Sequence, residues 1–229
     1  MRVAVFDAYG TLFDVTAAAR RVAAEPGRDR LAQVWPQVAR DWRLKQLQYS
    51  WIRAITGAHA DFWQVTHDGL DWALDAAGLA GGDLELRTRL LAVYRVLDAY
   101  PEVPDMLRRL RASGVATAIL SNGAPEMLAD AVASAGLGGL LDAVLSVESV
   151  GVFKPARAVY DLVGARFGTA PGEALFVSSN GWDAAAGAGY GFVTVWVNRA
   201  GEPRDRLPWT PAHELADLTG VPHLAGVIP

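Results

Sequence analysis

The amino-acid sequence contains several short apolar runs in which hydrophobic and polar residues do not alternate. The first is Val3–Phe6, and such a uniform run is typical of a strand buried on both faces of a parallel sheet. Similar runs follow at 116–120, 174–177 and 192–197, with a weaker one at 143–147. We therefore expect these runs to pair in one buried sheet.

The segments between these runs have helical character. They span 103–112, 125–135, 156–167 and 183–187. Glycine follows several of them, at Gly114, Gly136 and Gly168, as expected just past a helix end. A polar, proline-containing loop at 201–208 precedes a last strand near 213–218. Strands that alternate with helices predict an α/β fold with a Rossmann-like parallel sheet and helices on both faces.

Residues 15–98 follow a different pattern, without any β-like run. Apolar residues recur there at steps of three and four, first at Val34, Val38 and Trp42, and later at Leu44, Leu47, Trp51 and Ile55. Five of the eight tryptophans also fall in this stretch. The pattern predicts a helical cap domain at 15–98, inserted into an α/β core domain formed by 1–14 and 99–229.

The amino-acid composition excludes several kinds of nucleophile and metal site before any motif is considered. The chain has 229 residues, 52% of them hydrophobic, no cysteine and four histidines. The absence of cysteine excludes disulfides, thiol nucleophiles and thiolate metal sites. Neither an HExxH pair nor a GxSxG elbow is present. A hydrolytic enzyme of this composition would use a carboxylate or an ordinary water as its nucleophile.

The net charge of −4 gives no basic face for nucleic acid. The apolar runs are too short to cross a membrane, and Asp7 interrupts the first run before it could form a secretory signal. We expect a cytoplasmic protein with neither a nucleic-acid nor a membrane partner.

Polar side chains follow each predicted strand, where ligands bind in an open α/β sheet. Asp7 follows the first strand, and Ser121 and Asn122 follow the second along the chain. Lys154 comes after the weak strand, and residues 178–183 come after the next one. One acid, one lysine, hydroxyls and amides are therefore expected at one edge of the sheet.

These residues resemble the ordered motifs of the haloacid dehalogenase superfamily. Residues 6–14 are similar to its first motif, Ser121 to Gly123 to the second, Lys154 and Pro155 to the third, and 178–183 to the fourth. Residues 42–51 resemble the cap signature of the L-2-haloacid dehalogenase branch. Four motifs in the correct order and a cap signature form a specific match that covers nearly the whole chain.

The resemblance implies that Asp7 is a nucleophile that forms a covalent ester, and that Lys154 supplies a cation to keep it ionised. The alternative for Asp7 is a helix N-cap, and for Lys154 a solvated surface lysine. Asp183 is expected to fix Lys154 and help activate the hydrolytic water, or else to be only an acid in the first turn of a helix. Thr11, Tyr160, Ser178 and Asn180 match further active-site positions that orient these groups.

Tyr9 separates two branches of the superfamily. The phosphatases of the superfamily carry a second aspartate at this position, and they place consecutive acids in the fourth motif to hold Mg²⁺. Here Ser178, Ser179 and Asn180 stand in that motif, which leaves Asp183 alone beside a lysine. Because Mg²⁺ needs several oxygen ligands, we expect no metal, no other cofactor and no phosphoryl transfer.

Arg43 matches the residue that receives the departing halide in the resembling enzymes, where a fixed cation stabilises the developing charge. Its alternative is a solvated arginine on an amphipathic helix. Leu47 lies four residues later on the same helix face. By the same resemblance, Ser121 and the backbone NH groups at Ala8 and Tyr9 hold the substrate carboxylate, and Asn122 lies near the halogen. Ser121 could also cap the following helix.

The remaining pocket residues are apolar. The resemblance places Tyr9, Leu47, Phe62 and Trp182 around the alkyl group and halogen, although each could equally be core. Leu44 stands where relatives often carry a polar residue, and if that position borders the pocket, substrate preference would shift towards apolar chains.

The implied activity is hydrolysis of short L-2-haloalkanoic acids to D-2-hydroxy acids and halide. The alternatives are a Mg²⁺-dependent phosphohydrolase of the same superfamily and a non-catalytic member. The resembling enzymes are often homodimers, so we also expect a homodimer.

Overall fold

The computed structural model describes residues 1–79 and 84–227 of the chain. Within these residues the strands are β1 Val3–Phe6, β2 Ala116–Ser121, β3 Ala143–Ser146, β4 Ala174–Ser178, β5 Val193–Val197 and β6 His213–Leu215. The helices of the first half are α1 Ala17–Ala23, α2 Asp29–Thr56, α3 Phe62–Ala76, α4 Leu84–Arg95 and α5 Val103–Ala112. Those of the second half are α6 Pro125–Ser134, α7 Arg157–Phe167, α8 Gly181–Tyr190 and α9 Val221–Leu224.

All six described strands run parallel in one sheet, in the order β3-β2-β1-β4-β5-β6. β1 lies between β2 and β4, and every residue of β1 is fully buried. Along the chain, β2 and β3 are added on one side of β1, and β4, β5 and β6 are then added on the other side. Because connections between parallel strands are as a rule right-handed, this order places connecting helices on both faces of the sheet. The predicted α/β class and parallel sheet are confirmed.

The strand register brings the chemically interesting loops together. Phe6, the last residue of β1, pairs with Ile119 of β2 and with Val177 of β4. The residues that follow all three strands therefore emerge at the same edge. Because β1 is central, the residue after it is surrounded by protein on both sides.

Helices α1–α5 all lie between β1 and β2, and α1–α4 fall within residues 15–98. Four residues of the predicted cap domain, 80–83, lie outside the described residues, and the proposed boundaries at 15 and 98 stay predictions. The apolar spacing correctly predicted a helix in this region. The buried face of α2, however, differs from the row of apolar residues expected between Val34 and Ile55. Leu44 and Ile55 of that row are exposed.

Polar residues take their place on the buried face of α2. The Gln46 amide nitrogen donates to Thr66 Oγ1 at 2.9 Å and to Tyr94 OH at 3.1 Å. Thr66 lies on α3 and Tyr94 on α4, so these hydrogen bonds join three helices. A buried polar group is tolerated when its hydrogen bonds are made.

Candidate active site

Asp7 is the first residue after β1, and only 6% of its surface is exposed. Its backbone N donates to the Val177 carbonyl of β4 at 2.9 Å, which continues the sheet pairing by one residue. The chain then turns sharply through Gly10, whose φ of +88° favours glycine. A Cβ at Gly10 would also come within 3.1 Å of Ser179 Oγ.

Three side chains donate to the Asp7 carboxylate. Thr11 Oγ1 and Asn180 Nδ2 each lie 3.0 Å from Oδ2, and Lys154 Nζ lies 3.2 Å from Oδ1. These donors come from the β1 turn, the end of β4 and the segment before α7. Asp7 caps no helix, since the next helix begins at Ala17. The carboxylate is thus fixed in orientation, as a nucleophile requires.

Lys154 lies between two carboxylates and is 1% exposed. Its Nζ donates to Asp183 Oδ2 at 2.8 Å as well as to Asp7. Burial lowers the pKa of Lys154, but the charges of Asp183 and Asp7 outweigh burial and raise it above its ordinary value. The lysine is therefore a buried ammonium and not a solvated surface residue.

Asp183 is fully buried in the first turn of α8. Burial and the nearby Asp7 charge raise the pKa of Asp183, although Lys154 acts in the opposite direction. Tyr160 OH donates to Asp183 Oδ1 at 2.8 Å. Burial and the Asp183 charge raise the pKa of Tyr160 well above its ordinary value, so the phenol keeps its proton and donates.

Arg43 reaches the same cluster from α2. Its Nη2 donates to the Tyr9 carbonyl at 3.3 Å and to Asn180 Oδ1 at 3.1 Å. Asn180 in turn donates to Asp7, so one amide links the guanidinium to the carboxylate. This half-buried arginine is a cation at the edge of the site.

Ser121, Asn122 and Ser178 are buried at the ends of β2 and β4. Asn122 Oδ1 accepts from the Lys154 backbone N at 2.9 Å, which fixes the loop that carries the lysine. Ser121 Oγ accepts from Gly123 N, and Ser178 Oγ accepts from Asn180 N. Ser121 does not cap α6, because the N-cap position of that helix is Ala124, without a side-chain hydrogen bond.

Aromatic rings form one wall beside Asp7. The Tyr9 ring lies 5.9 Å from the Phe62 ring and 5.7 Å from the Tyr94 ring, measured between centroids. Phe62 is the first residue of α3, and its ring centroid lies 6.1 Å from that of Phe153. Burial raises the pKa of Tyr9 well above its ordinary value, so Tyr9 is neutral.

The side chains of the other expected pocket residues take no part in the hydrogen bonds described above. Ala8 is fully buried in the β1 turn, and Leu47 is half-buried on α2. Trp182 lies in the first turn of α8, its ring centroid 5.4 Å from that of Trp51. The same two tryptophans border an apolar cavity of about 440 Å³.

Two residues join the cluster that the sequence did not assign. Ser179 N donates to Thr11 Oγ1 at 2.8 Å, and Arg199 Nη2 donates to the Thr11 carbonyl at 3.1 Å. Ser179 stands between two predicted site residues. Arg199 follows β5 by two positions, so the rule that chemistry gathers after strands could have found it.

The donor set beside Asp7 does not suit a hard cation. Within the described residues no three His, Cys, Asp or Glu side chains lie close enough to hold a metal ion. The Lys154 ammonium occupies the space between the two carboxylates. Mg²⁺ would need several oxygen ligands and would be repelled by that charge.

Comparison with known families is consistent with this geometry. Residues 1–191 match the sequence profile of haloacid dehalogenase-like hydrolases. The chain belongs to this family. The matched region extends from β1 through α8 and therefore includes Asp7, Lys154 and Asp183.

Relatives within the family cover nearly the whole chain. (S)-2-haloacid dehalogenase 1 of Pseudomonas sp. (strain CBS-3) is 40% identical over 226 residues, which are 98% of this chain and 96% of that protein. The (S)-2-haloacid dehalogenase of Pseudomonas sp. (strain YL) is 41% identical over 222 residues, 96% of this chain and 92% of that protein.

A solved structure of another relative contains a covalently bound small molecule. The L-2-haloacid dehalogenase from Xanthobacter autotrophicus, with chloropropionic acid covalently bound, superposes with a TM-score of 0.88. The two chains are 35% identical, and each is covered completely.

Proposed function

We propose that this chain hydrolyses the carbon–halogen bond of short L-2-haloalkanoic acids and gives D-2-hydroxy acids and halide. The observation that carries this proposal is the buried Asp7 carboxylate. Three side chains donate to it, and one of them is the Lys154 ammonium at 3.2 Å. A neutral tyrosine, not a second acid, stands two residues later. The curated relatives named above are (S)-2-haloacid dehalogenases, which supports the same activity here.

In the first step an oxygen of Asp7 attacks the α-carbon opposite the halogen. A carbon–oxygen bond forms, the carbon–halogen bond breaks, and the configuration at that carbon inverts. The halide leaves with the electron pair, and Arg43 stabilises its charge. The solved relative with covalently bound chloropropionic acid supports an ester of this kind.

In the second step water attacks the carboxyl carbon of the Asp7 ester. Asp183 takes a proton from that water, and Lys154 holds Asp183 in place at 2.8 Å. The acyl–oxygen bond of the ester breaks, and the departing oxygen takes up a proton as the product hydroxyl. Ser121, with the backbone NH groups of the Ala8–Tyr9 turn, binds the substrate carboxylate, while Asn122, Leu47, Phe62 and Trp182 border the halogen and alkyl group.

A single turnover in ¹⁸O-labelled water tests the covalent step. With enzyme in excess over L-2-chloropropionate, the oxygen in the product hydroxyl should come from Asp7 and carry no label. Product labelled mainly with ¹⁸O in that first turnover would contradict the ester. Asp7→Asn should abolish halide release while the thermal unfolding midpoint stays close to that of the parent chain, because an amide is a far poorer nucleophile.

A paired assay separates this activity from the alternatives. Halide release from L-2-chloropropionate is measured with EDTA, and p-nitrophenyl phosphate hydrolysis is measured with Mg²⁺. We expect activity only in the first assay, since the site lacks the oxygen ligands for Mg²⁺. Activity only in the second assay would favour the phosphohydrolase, and none in either would favour a non-catalytic member.

We also propose that the protein is a cytoplasmic homodimer. The lack of cysteine is consistent with a reducing compartment, and Ile52 and Ile55 expose apolar side chains on α2. No described helix is both long and apolar enough to span a membrane. Light scattering of the purified chain measures the oligomeric state.

A further inference from the structure

Thr11 is one of the three side chains that donate to the Asp7 carboxylate, and it lies in the turn after β1. Its hydroxyl donates to Asp7 Oδ2 at 3.0 Å and accepts from Ser179 N at 2.8 Å. The hydroxyl can keep both contacts only while the Thr11 backbone stays in place. Whatever holds that backbone therefore also acts on the carboxylate.

Arg199 holds the Thr11 backbone from outside the turn. Its Nη2 donates to the Thr11 carbonyl at 3.1 Å. The residue lies just after β5, on the far side of β4 from the β1 turn. A long side chain is required to reach Thr11 from there.

Two further contacts fix the guanidinium of Arg199. Its Nη1 lies 2.8 Å from Glu102 Oε1, and the exposed fractions of these two side chains are only 20% and 17%. The guanidinium carbon lies 3.6 Å from the centre of the Tyr100 ring. Tyr100 N donates to the Leu12 carbonyl at 2.9 Å, so the ring under the arginine is tied to the same turn.

This combination of contacts is specific to arginine. A planar guanidinium can stack on a ring and direct separate N–H groups to a carboxylate and a carbonyl at the same time. A lysine ammonium is a point charge that could pair with Glu102 or donate to Thr11. It could not stack on the Tyr100 ring and make both hydrogen bonds at the same time. The site therefore depends on the shape of the side chain as well as on its charge.

We propose that Arg199 is a positioning residue for the nucleophile, which acts on Asp7 through Thr11. The inference rests on the proposed dehalogenase function and deepens it. Arg199 does not contact the reacting atoms. It keeps the Thr11 hydroxyl in place, and the hydroxyl helps to orient the Asp7 carboxylate, one oxygen of which must align with the α-carbon.

The test combines steady-state kinetics on L-2-chloropropionate with a double-mutant cycle. Arg199→Met should lower kcat by about tenfold and change KM by less than about threefold, because alignment contributes to the transition state more than to binding. Arg199→Lys should recover part of the loss. In a chain that already carries Thr11→Ala, Arg199→Met should cause little further loss, since the link to Asp7 is already broken.

Arg204→Met is the matched control. Arg204 lies on the same C-terminal segment and pairs with Glu214 at 2.7 Å, but its side chain is 61% exposed. This variant should keep the parental kcat. If Arg199→Met keeps the parental kcat, or if its loss multiplies fully with that of Thr11→Ala, the inference is wrong.

A crystal structure of Arg199→Met tests the role of Arg199 without any measurement of enzyme activity. The hydrogen bond from Thr11 to Asp7, 3.0 Å in the parent chain, should be lengthened or lost. An unchanged bond would overturn the role of Arg199. If the parent chain releases no halide from any 2-haloacid, the proposed function fails, and this structure alone then decides the role of Arg199.

Discussion

The Asp7 carboxylate has a different environment at each oxygen. Oδ2 accepts from a hydroxyl and an amide, while Oδ1 faces the Lys154 ammonium. Lys154 is shared with Asp183, so two buried carboxylates have one ammonium between them. Hydrogen bonds from neutral donors then become important, because each one stabilises a charge that the lysine neutralises only in part.

Removing the Tyr160 hydroxyl tests this dependence. Tyr160→Phe deletes the hydrogen bond to Asp183 and leaves the ring in place. Because that bond lowers the pKa of Asp183, its loss should raise the pKa further. A hydrogen bond to a charged group contributes about 1.5–3 kcal/mol, and its loss disfavours the ionised form of the carboxyl. The acid limb of kcat against pH should therefore move upwards.

Tyr190→Phe provides the comparison for that measurement. The Tyr190 ring lies 5.5 Å from the Tyr160 ring, and its hydroxyl donates to the surface residue Asp161 at 2.7 Å. This variant should leave the acid limb unchanged. An identical limb in Tyr160→Phe would mean that Asp183 does not act in the ester hydrolysis step.

At the scale of elements, the start of α3 places Phe62 against Tyr9. Asp61 is the N-cap of this helix, and its side chain accepts from Gln64 N at 2.8 Å. Asp61→Ala should lower the free energy of unfolding by about 1 kcal/mol, because a backbone N–H at the helix end loses its partner. Urea denaturation measures this change.

Asp61→Asn is the matched variant, since asparagine caps a helix about as well as aspartate. Its urea midpoint should stay near that of the parent chain. If both variants unfold at the same urea concentration, the hydrogen bond to Gln64 N does not stabilise α3.

The sequence predicted some elements more reliably than their contacts. Uniform apolar runs predicted β1 and β4 because both faces of these strands are buried, and the edge rule placed Asp7 and Lys154 together. Periodicity predicted the helical nature of α2 but not its buried face. Gln46 is buried there because its partners come from α3 and α4, and such partners are distant in sequence.

Across the whole molecule, several surface carboxylates have pKa values below their ordinary ones. Hydrogen bonds from Thr16 and Arg20 lower the pKa of Asp14 despite the opposing effect of burial. For Asp142, hydrogen bonds from Thr117 and Arg111 likewise outweigh burial. Hydrogen bonds from Asn198 and Arg204 lower the pKa of Glu214. These acids bind fewer protons in the folded chain than in the unfolded chain at the same pH.

Stability should therefore fall in acid. A lowered pKa contributes stability that is present above the ordinary value and is lost as pH falls through the folded value. The ordinary values here are 3.8 for Asp and 4.5 for Glu, so the urea midpoint should decline below about pH 4.5. Asp14→Asn should unfold more easily than the parent chain at pH 7, and the difference should shrink towards pH 3. A difference that stays constant over that range would show that the ionised state of Asp14 does not contribute to stability.

The burial of Lys154 has a consequence for chemical labelling. The sequence contains only two lysines, Lys45 and Lys154, and 1% of Lys154 is exposed. An amine-selective reagent applied to the native chain should modify Lys45 and the terminal amine long before it reaches Lys154. Acylation of Lys154, detected by mass spectrometry, would therefore report how often the buried site around Asp7 opens to solvent. An engineered label would not be needed.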